Sequence, residues 1–212
     1  MAPQPSVTIF VVDDDLSFRR SLSRLLKSAG YECEMFASAG EFLAAGRHPG
    51  AGCIILDVNM PGLSGLDLQA ELARADYSLP IIFLTGHGDI PTSVRAMKGG
   101  AVDFLTKPVH DEDLLSAVKS ALARDQQARQ AYAEAEDARR GLALLTQREM
   151  QVLRHVIAGL LNKQIAAELG IVEKTVKVHR GRVMQKMRVN SVAELTRLAE
   201  KAGITPATPQ SL

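Results

Sequence analysis

The chain has 212 residues, 46% of them hydrophobic and 23% charged, with a formal net charge of +1, which is typical of an ordinary soluble protein of one or two domains. No apolar run approaches the ~20 residues that span a membrane, and no basic segment precedes an apolar one at the N-terminus, so we expect neither a membrane span nor a signal peptide. The cysteines, Cys33 and Cys53, lie in apolar runs without paired spacing, and we expect reduced core residues of a cytoplasmic protein.

The small net charge hides an asymmetry along the chain. Residues 1–121 carry 10 Lys+Arg against 15 Asp+Glu, a net of −5, and residues 122–142 carry 4 of each sign. Residues 143–212 carry 11 Lys+Arg against 5 Asp+Glu, a net of +6. This distribution predicts two modules with different partners, with a polyanion as the candidate partner of the last.

Strand and helix patterns alternate five times in the first ~120 residues. The predicted strands lie at 7–12, 31–36, 53–56, 80–84 and 102–105. The predicted helices run from residue 16 to near Gly30, over 39–45, 63–75 and 91–98, and from about Asp111 onward. The alternation predicts a doubly wound, five-stranded parallel sheet with helices on both faces.

Polar residues follow the ends of four predicted strands: Asp13 with Asp14, Asp57, Thr85 and Lys107. The carboxyl ends of parallel strands share one edge of the sheet, so these side chains can converge there. Carboxylates in an open site suit Mg²⁺, and a lysine and a hydroxyl beside them complete a set of groups for phosphoryl transfer. The alternative, that each residue is separately a cap or a turn residue, is disfavoured by their coincidence at four strand ends.

Residues 111–145 contain no proline and are rich in good helix formers, which favours a long helix over the alternative of a flexible, partly helical tether. Gly141 costs about 1 kcal/mol inside a helix and is a candidate for its end. The helix would present a heptad seam that buries little area, so self-association through it should be weak. The seam consists of Leu114, Ala121, Ala128, Ala135 and Leu142 at one position and Ala117, Arg124, Ala131, Ala138 and Leu145 at the other.

The last part of the chain reads as four helices. A capping box at 146–149 opens the first, and the others are predicted at 162–169, 174–187 and 191–202. The short turn between the second helix and the basic third helix predicts a helix-turn-helix. With Val176, Val183 and Met187 on the core face of the basic helix, Lys177 and Val178 lie towards its opposite side, where they can reach DNA. The alternative is a solvated basic face.

The stretches VVDDD, ILDVNMPGLSG and FLTGHGDIPTSVRAMKGGAVDFLTKP resemble the receiver domain of bacterial two-component response regulators, specifically the FixJ-like subgroup. The resemblance covers residue 7 to about residue 121. It implies that Asp57 accepts a phosphoryl group from a sensor histidine kinase. It also implies that Mg²⁺ is bound by Asp14, Asp57 and the backbone carbonyl of Asn59, with Asp13 assisting through water.

By the same resemblance, Lys107 pairs with the phosphoryl oxygens, and its peptide bond to Pro108 is cis. Thr85 is expected to bind the phosphoryl group and Phe104 to change its burial in response, although Phe104 could also be a plain core aromatic.

The loops around the acceptor contain further candidates. The backbone amides of Val58 and Gly86 are expected donors to the phosphoryl group. His87 could tune hydrolysis of the phosphoryl group, but an exposed loop residue is the favoured interpretation.

The stretch NKQIAAELGIVEKTVKVHRGRVMQKM is similar to the LuxR/FixJ-type DNA-binding domain. The similarity implies that the basic helix enters the major groove of an operator and that the last helix contributes to dimerisation there, with RNA polymerase as a further candidate partner. The expected DNA-binding residues are Lys174, Thr175, Lys177, Val178, Arg180, Gly181 and Arg182.

The predicted organisation is a receiver at 1–121, a helical linker at 122–142, a four-helix DNA-binding domain at 143–205 and a flexible tail at 206–212. We expect a cytoplasmic transcription regulator that catalyses phosphoryl transfer to, and hydrolysis from, its own Asp57 and dimerises when phosphorylated through a face including Val94, Met97 and Phe104. The rival function is a Mg²⁺-dependent phosphohydrolase, but such an enzyme needs a second acid where Asn59 stands.

Overall fold

The computed structural model describes residues 7–48, 50–75, 79–86 and 89–208. The chain divides into two compact units between Ala128 and Arg129. In chain order the elements are β1 (Thr8–Val12), α1 (Leu16–Ser28), β2 (Glu32–Phe36), α2 (Ala39–Ala44), β3 (Gly52–Asp57), α3 (Gly65–Arg74), β4 (Ile81–Thr85), α4 (Ile90–Lys98), β5 (Asp103–Thr106), α5 (Asp111–Ala143), α6 (Gln147–Ile157), α7 (Asn162–Leu169), α8 (Glu173–Lys186) and α9 (Val192–Lys201).

The first unit contains one parallel sheet with the strand order β2-β1-β3-β4-β5. Every residue of the central strand β3 is buried, because both faces of a parallel sheet are covered by helices. Neighbouring strands end nearly level, with Asp57 opposite Leu84 and Thr85 opposite Thr106. The predicted doubly wound fold is confirmed.

Alternate strand residues supply two cores, one on each face of the sheet. Phe10 and Phe83 belong to the core that also contains Leu68 of α3. The core on the other face contains Ile9, together with buried leucines from α1 and α5. The helices therefore sandwich the sheet and leave the carboxyl ends of its strands open for a site.

Hydrogen bonds from side chains set the starts of the helices beside that edge. Asp15, which follows Asp13 and Asp14 in the sequence, caps α1 by accepting from the amides of Ser17 and Phe18 at 2.8 and 3.1 Å. Helix α3 begins two residues later than predicted because Ser64 and Asp67 form a capping box. Each cap satisfies amides that a helix start would otherwise leave unpaired.

The predicted helical linker is confirmed, since α5 runs without interruption from Asp111 to Ala143. Gly141 lies inside this helix rather than at its end. It is buried, and a Cβ there would lie 3.0 Å from Sδ of Met187 at the end of α8. Glycine at this position therefore favours the close approach of the two helices, despite its low helix propensity.

Most residues of the heptad seam of the linker helix pack within this chain. At its start, Leu114, Ala117 and Ala121 belong to a core of the first unit. At its end, Ala138 is buried and Leu142 packs against the core of the second unit. The exposed seam residues lie between these ends, at Arg124, Ala128 and Ala131. Little of the seam is left for self-association.

The second unit packs α6, α7, α8 and α9 around one apolar core. Helix α7 has its predicted limits, and Gly170 ends it with φ at 63°, a conformation that glycine adopts at low cost. The predicted flexible tail starts at residue 206, yet Ala207 donates its backbone N–H to the Arg154 carbonyl at 3.0 Å. The predicted domain limits stay predictions.

The helices and cysteines of the described residues bear on two expectations, the absence of a membrane span and the state of the thiols. None of their helices is long and apolar enough to cross a membrane. Cys33 and Cys53 are both free thiols, and of the two only Cys53 is fully buried. Burial, together with the nearby Asp125 carboxylate, raises the pKa of Cys53 to about 12, so this thiol is a poor nucleophile.

A shielded ion pair links α6 to α8 in the second unit. Glu149, 2% exposed, accepts a hydrogen bond from Nζ of Lys186 at 2.7 Å and closes the capping box with Thr146. The Lys186 bond and the bond from the Thr146 amide lower the pKa of Glu149 to about 2. Its stabilising effect is therefore present above pH about 4.5 and is lost as the pH falls through about 2.

We expect Glu149→Gln to lower the free energy of unfolding of the second unit at pH 7 by about 1.5–3 kcal/mol, the usual contribution of a hydrogen bond to a charged group. Urea unfolding of the full chain, followed by circular dichroism, measures this loss. The gap between variant and wild type should shrink on acidification between about pH 4.5 and about pH 2. An equal gap at both pH values would contradict the assignment.

Candidate functional site

Three of the predicted site residues meet at the carboxyl ends of β1, β3 and β5. Nζ of Lys107 donates to Oδ2 of Asp13 at 2.6 Å and to Oδ1 of Asp57 at 2.7 Å. Asp13 is 2% exposed and Asp57 5% exposed. One ammonium group therefore bridges two shielded carboxylates that would otherwise repel each other.

The second oxygen of each carboxylate is bound by a backbone amide. Oδ1 of Asp13 accepts from the amide of Asp15 at 2.9 Å, and Oδ2 of Asp57 accepts from the amide of Asn59 at 2.9 Å. The buried Arg19 of α1 donates to the backbone carbonyl of Asp13. The orientations of both carboxylates are thus set by bonds on two sides.

The pKa values of Asp57 and Lys107 reflect the burial of both groups and the hydrogen bond between them. Burial raises the pKa of Asp57 above its usual value, and the bond to Lys107 offsets only part of that effect. Burial lowers the pKa of Lys107, but its bonds to Asp13 and Asp57 outweigh this effect and the pKa lies above its ordinary value. Lys107 therefore stays charged at neutral pH, and the site keeps a cation beside the candidate acceptor.

Thr85 lies on β4, the strand next to the candidate acceptor, and Phe104 lies on β5, one strand further along the sheet. Thr85 is fully buried at the end of β4, and its carbonyl accepts from the amide of Lys107 at 2.7 Å. Phe104 is partly buried, with its ring centroid 6.2 Å from that of Phe83. Both residues are on the elements that carry the site, and their part in switching stays a prediction.

The expected amide donors differ from those in the structure. The amide of Val58 donates to the carbonyl of Leu84 at 3.1 Å, because the bonding between β3 and β4 continues one residue past Asp57. The prediction that Val58 serves as a donor is therefore wrong for this form of the protein, and the Asn59 amide faces Asp57 instead. Gly86 stays a predicted donor, and His87 lies outside the described residues.

The predicted metal ligands are Asp13, Asp14, Asp57 and Asn59, of which Asp14 and Asn59 are exposed. In the parts of the chain that the structure describes, no three acidic, histidine or cysteine side chains form a metal-holding group. The available donors are all oxygens, and Mg²⁺ commonly uses one or two carboxylates and completes its shell with water and phosphate. The donor chemistry fits Mg²⁺, and the ligand assignments stay predictions.

Sequence reasoning missed two residues that contact the site. Nζ of Lys107 lies 4.3 Å from the centroid of the Phe18 ring. Gly65 donates its amide to the carbonyl of Val58 at 3.0 Å, and a Cβ on Gly65 would lie 2.2 Å from the carbonyl oxygen of Asp57. A glycine that opens a helix directly after a site loop is a signal that could have pointed to this close approach.

A second candidate site lies on α8. Val176 and Val183 are fully buried in the core of the second unit, as predicted. On the other side of the helix Lys177, Gly181 and Val178 are exposed, the last by 47%. An exposed valine beside an exposed lysine suits a surface that contacts both the apolar and the charged parts of DNA.

The other predicted DNA-binding residues differ in their surroundings. Lys174 and Arg182 are exposed, and Thr175 is half-buried. Nη1 of Arg180 donates to Oδ1 of Asn162 at 3.1 Å, so Arg180 braces the start of α7 against α8. Its predicted contact with DNA has to coexist with that bond or replace it.

Comparison with protein families gives two matches. Residues 9–119 match the family described as response regulator receiver domain, and residues 143–199 match the family described as bacterial regulatory proteins, luxR family. The chain is 52% identical to nodulation protein W of Bradyrhizobium diazoefficiens, over 93% of this chain and 87% of that protein. It is 47% identical to the transcriptional regulatory protein FixJ of Azorhizobium caulinodans, over 95% of this chain and 96% of that protein.

Solved structures agree with these matches. The response regulator StyR is 49% identical with a TM-score of 0.82, covering 92% of this chain and 99% of StyR. Full-length FixJ from B. japonicum is 46% identical with a TM-score of 0.55, covering 93% of this chain and 97% of FixJ. The resemblance that the motifs indicated is confirmed.

Proposed function

Since the chain belongs to the two-component response regulators that join a receiver domain to a LuxR-type DNA-binding domain, we propose that phosphorylation of Asp57 switches its activity as a transcription regulator. The receiver domain implies a histidine kinase partner, and the LuxR-type domain implies binding to DNA. The observation that carries the proposal is the Lys107 ammonium held between the shielded carboxylates of Asp13 and Asp57.

The chemistry is a transfer between two nucleophiles. A carboxylate oxygen of Asp57 forms a bond to phosphorus as the bond from phosphorus to the kinase histidine breaks, and the electron pair of that bond returns to the imidazole. Lys107 exchanges one carboxylate partner for a phosphoryl oxygen and so offsets the added charge. Mg²⁺ held by Asp13, Asp14, Asp57 and Asn59 would supply further neutralisation when bound. Water later attacks the same phosphorus, the bond from phosphorus to the Asp57 oxygen breaks, and inorganic phosphate leaves while the Asp57 carboxylate is restored.

The transferred group is then sensed at β4, the neighbouring strand, and through it at β5. It adds about two negative charges and strong acceptor oxygens next to the end of β4. We propose that Thr85 turns towards these oxygens and that Phe104 changes its packing with it. The response is a shift in population between two arrangements of the β4–β5 edge.

A dimer is the proposed product of the switch. Three apolar side chains of α4, Ile90, Val94 and Met97, are 79%, 43% and 46% exposed and recur at positions i, i+4 and i+7. That spacing places them on one face of the helix, beside β5 with Phe104. We propose that this face pairs with its copy after phosphorylation.

Pairing two chains raises the effective concentration of the second DNA-binding domain once the first is bound. We propose that α8 enters the major groove of an operator with two half-sites and contacts it through Lys174, Thr175, Lys177, Val178, Arg180, Gly181 and Arg182. The last helix, α9, adds to dimerisation, and RNA polymerase is a further partner. The cytoplasm, where bacterial DNA lies, is the proposed location.

The test combines phosphoryl uptake with molecular mass. Wild type and Asp57→Asn are incubated with phosphoramidate and Mg²⁺, then analysed by intact mass spectrometry and analytical ultracentrifugation. We expect wild type to gain one phosphoryl group and to shift from monomer to dimer, and Asp57→Asn to do neither. Phosphoryl uptake by wild type without any change in sedimentation would contradict the proposed dimer switch. Phosphoryl uptake by Asp57→Asn would contradict the assignment of Asp57 as the acceptor.

A further inference from the structure

Lys107 has contacts on three sides, and only two of them are carboxylates. An ammonium group carries three N–H donors, of which two have acceptors in Asp13 and Asp57. The ring of Phe18 occupies a further side, with its centroid 4.3 Å from Nζ. That separation is well inside the ~6 Å within which the negative face of an aromatic ring attracts a cation.

The ring is held in place from its own side of the site. Phe18 stands in the first turn of α1, where its amide donates to Oδ1 of the capping residue Asp15 at 3.1 Å. Its side chain packs against the buried cluster formed by β1, β3, β4, α1 and α5. The same loop carries Asp13, whose Oδ1 accepts from the amide of Asp15. The cap of α1 therefore places the ring and one carboxylate partner of Lys107 together.

We propose that Phe18 is a positioning residue for Lys107: its ring holds the ammonium group between Asp13 and Asp57, in reach of the phosphoryl group that Asp57 receives. Lysine has a long stem with several rotatable bonds, and the side chain of Lys107 is still 21% exposed. Without the ring, the ammonium group can turn towards solvent and lose its place beside the acceptor. This role rests on the proposed function of Asp57.

The test uses the full chain and compares three variants. Phe18→Leu keeps an apolar side chain but removes the aromatic face, Phe18→Tyr keeps that face, and Phe42→Leu makes the same change in a fully buried phenylalanine of α2 that contacts other aromatic rings. The rate of phosphoryl uptake from phosphoramidate with Mg²⁺ is measured by mass spectrometry. We expect Phe18→Leu to be slowed about five-fold, as a cation–π contact of ordinary strength predicts, and the other two variants to stay within about two-fold of wild type.

A second measurement, by NMR, detects the contact between Phe18 and Lys107 in the unphosphorylated protein. In protein labelled with ¹³C-lysine, protons next to Nζ of Lys107 should be shifted upfield by the ring current of Phe18, and Lys107→Arg identifies their signal by removing it. The upfield shift should persist in Phe18→Tyr and vanish in Phe18→Leu.

Several results would overturn the positioning role. They are an uptake rate in Phe18→Leu equal to that of wild type, an equal loss of rate in Phe18→Tyr, and an upfield shift that survives in Phe18→Leu. If wild type takes up no phosphoryl group while the upfield shift is present, the proposed function fails and the positioning role falls with it.

Discussion

Lys107→Met is expected to slow phosphoryl uptake at Asp57 by about 100-fold or more, the usual cost of removing a group that stabilises charge in the transition state. In this variant the carboxylates of Asp13 and Asp57, 2% and 5% exposed, lose the cation that bridges them. The two carboxylates then repel each other and also repel the negatively charged phosphoryl group as it approaches. Rates from phosphoramidate, measured by mass spectrometry, test this expectation.

Lys98→Met provides the matched control for that experiment. Lys98 is an exposed residue in the last turn of α4 of the same unit, so its loss changes the net charge equally without touching the site. We expect its uptake rate to stay within about two-fold of wild type, the scale of a screened surface charge. Similar rates for Lys107→Met and Lys98→Met would show that the bridge plays no part in the reaction.

Gly65→Ala is expected to destabilise the first unit by about 3 kcal/mol, at the upper end for overpacking. A Cβ at Gly65 would lie 2.2 Å from the carbonyl oxygen of Asp57 and 3.1 Å from the ring of Phe83. Backbone and a buried ring cannot yield cheaply, so α3 must move away from β3 and disturb the loop that carries Asn59. Urea unfolding of the full chain measures the loss, and phosphoryl uptake should fall as well.

Gly40→Ala is the control for the glycine experiment. Gly40 lies in α2, where a Cβ would meet nothing closer than Oγ of Ser38 at 3.9 Å. Alanine favours a helix over glycine, so we expect a gain of up to about 1 kcal/mol. Equal stability of Gly65→Ala and wild type would contradict the close approach of α3 to Asp57.

Much of the fold and of the site could be predicted because parallel sheets obey local rules. A strand such as β3, buried on both faces, reads as a continuous apolar run, and β4 reads the same way. The carboxyl ends of parallel strands share one edge of the sheet. The sequence alone therefore predicts that the polar residues at these ends, Asp13, Asp57 and Lys107, lie close together. The end of helix α7 was predictable to the residue because Gly170 ends it.

The remaining features depend on contacts between distant parts of the chain. Whether the amide of Val58 or that of Asn59 faces the acceptor is decided by where the bonding between β3 and β4 ends, and strand ends are the least predictable feature of a sequence. The place of Gly141 inside the linker helix follows from its contact with Met187. The ring of Phe18 reaches Lys107 only in the folded sheet.

The packing of the linker helix also depends on distant parts of the chain and could not be predicted from its own sequence. Its apolar heptad positions were predictable, but periodicity does not say which surface will cover them. In the structure Leu114 and Ala121 serve the core of the first unit, and Ala138 is buried in the second. A seam that suggests self-association in sequence is thus divided between two intramolecular cores.

A titration of DNA with phosphorylated and unphosphorylated protein measures whether Asp57 controls the DNA-binding domain. A duplex selected from a random pool by the phosphorylated protein is titrated with wild type and with Asp57→Asn, each with and without phosphoramidate and Mg²⁺, at one fixed salt concentration because affinity for DNA depends on salt. We expect phosphoramidate to raise the affinity of wild type for the duplex at least tenfold and to leave that of Asp57→Asn unchanged. Equal affinity of phosphorylated and unphosphorylated wild type would contradict this expectation.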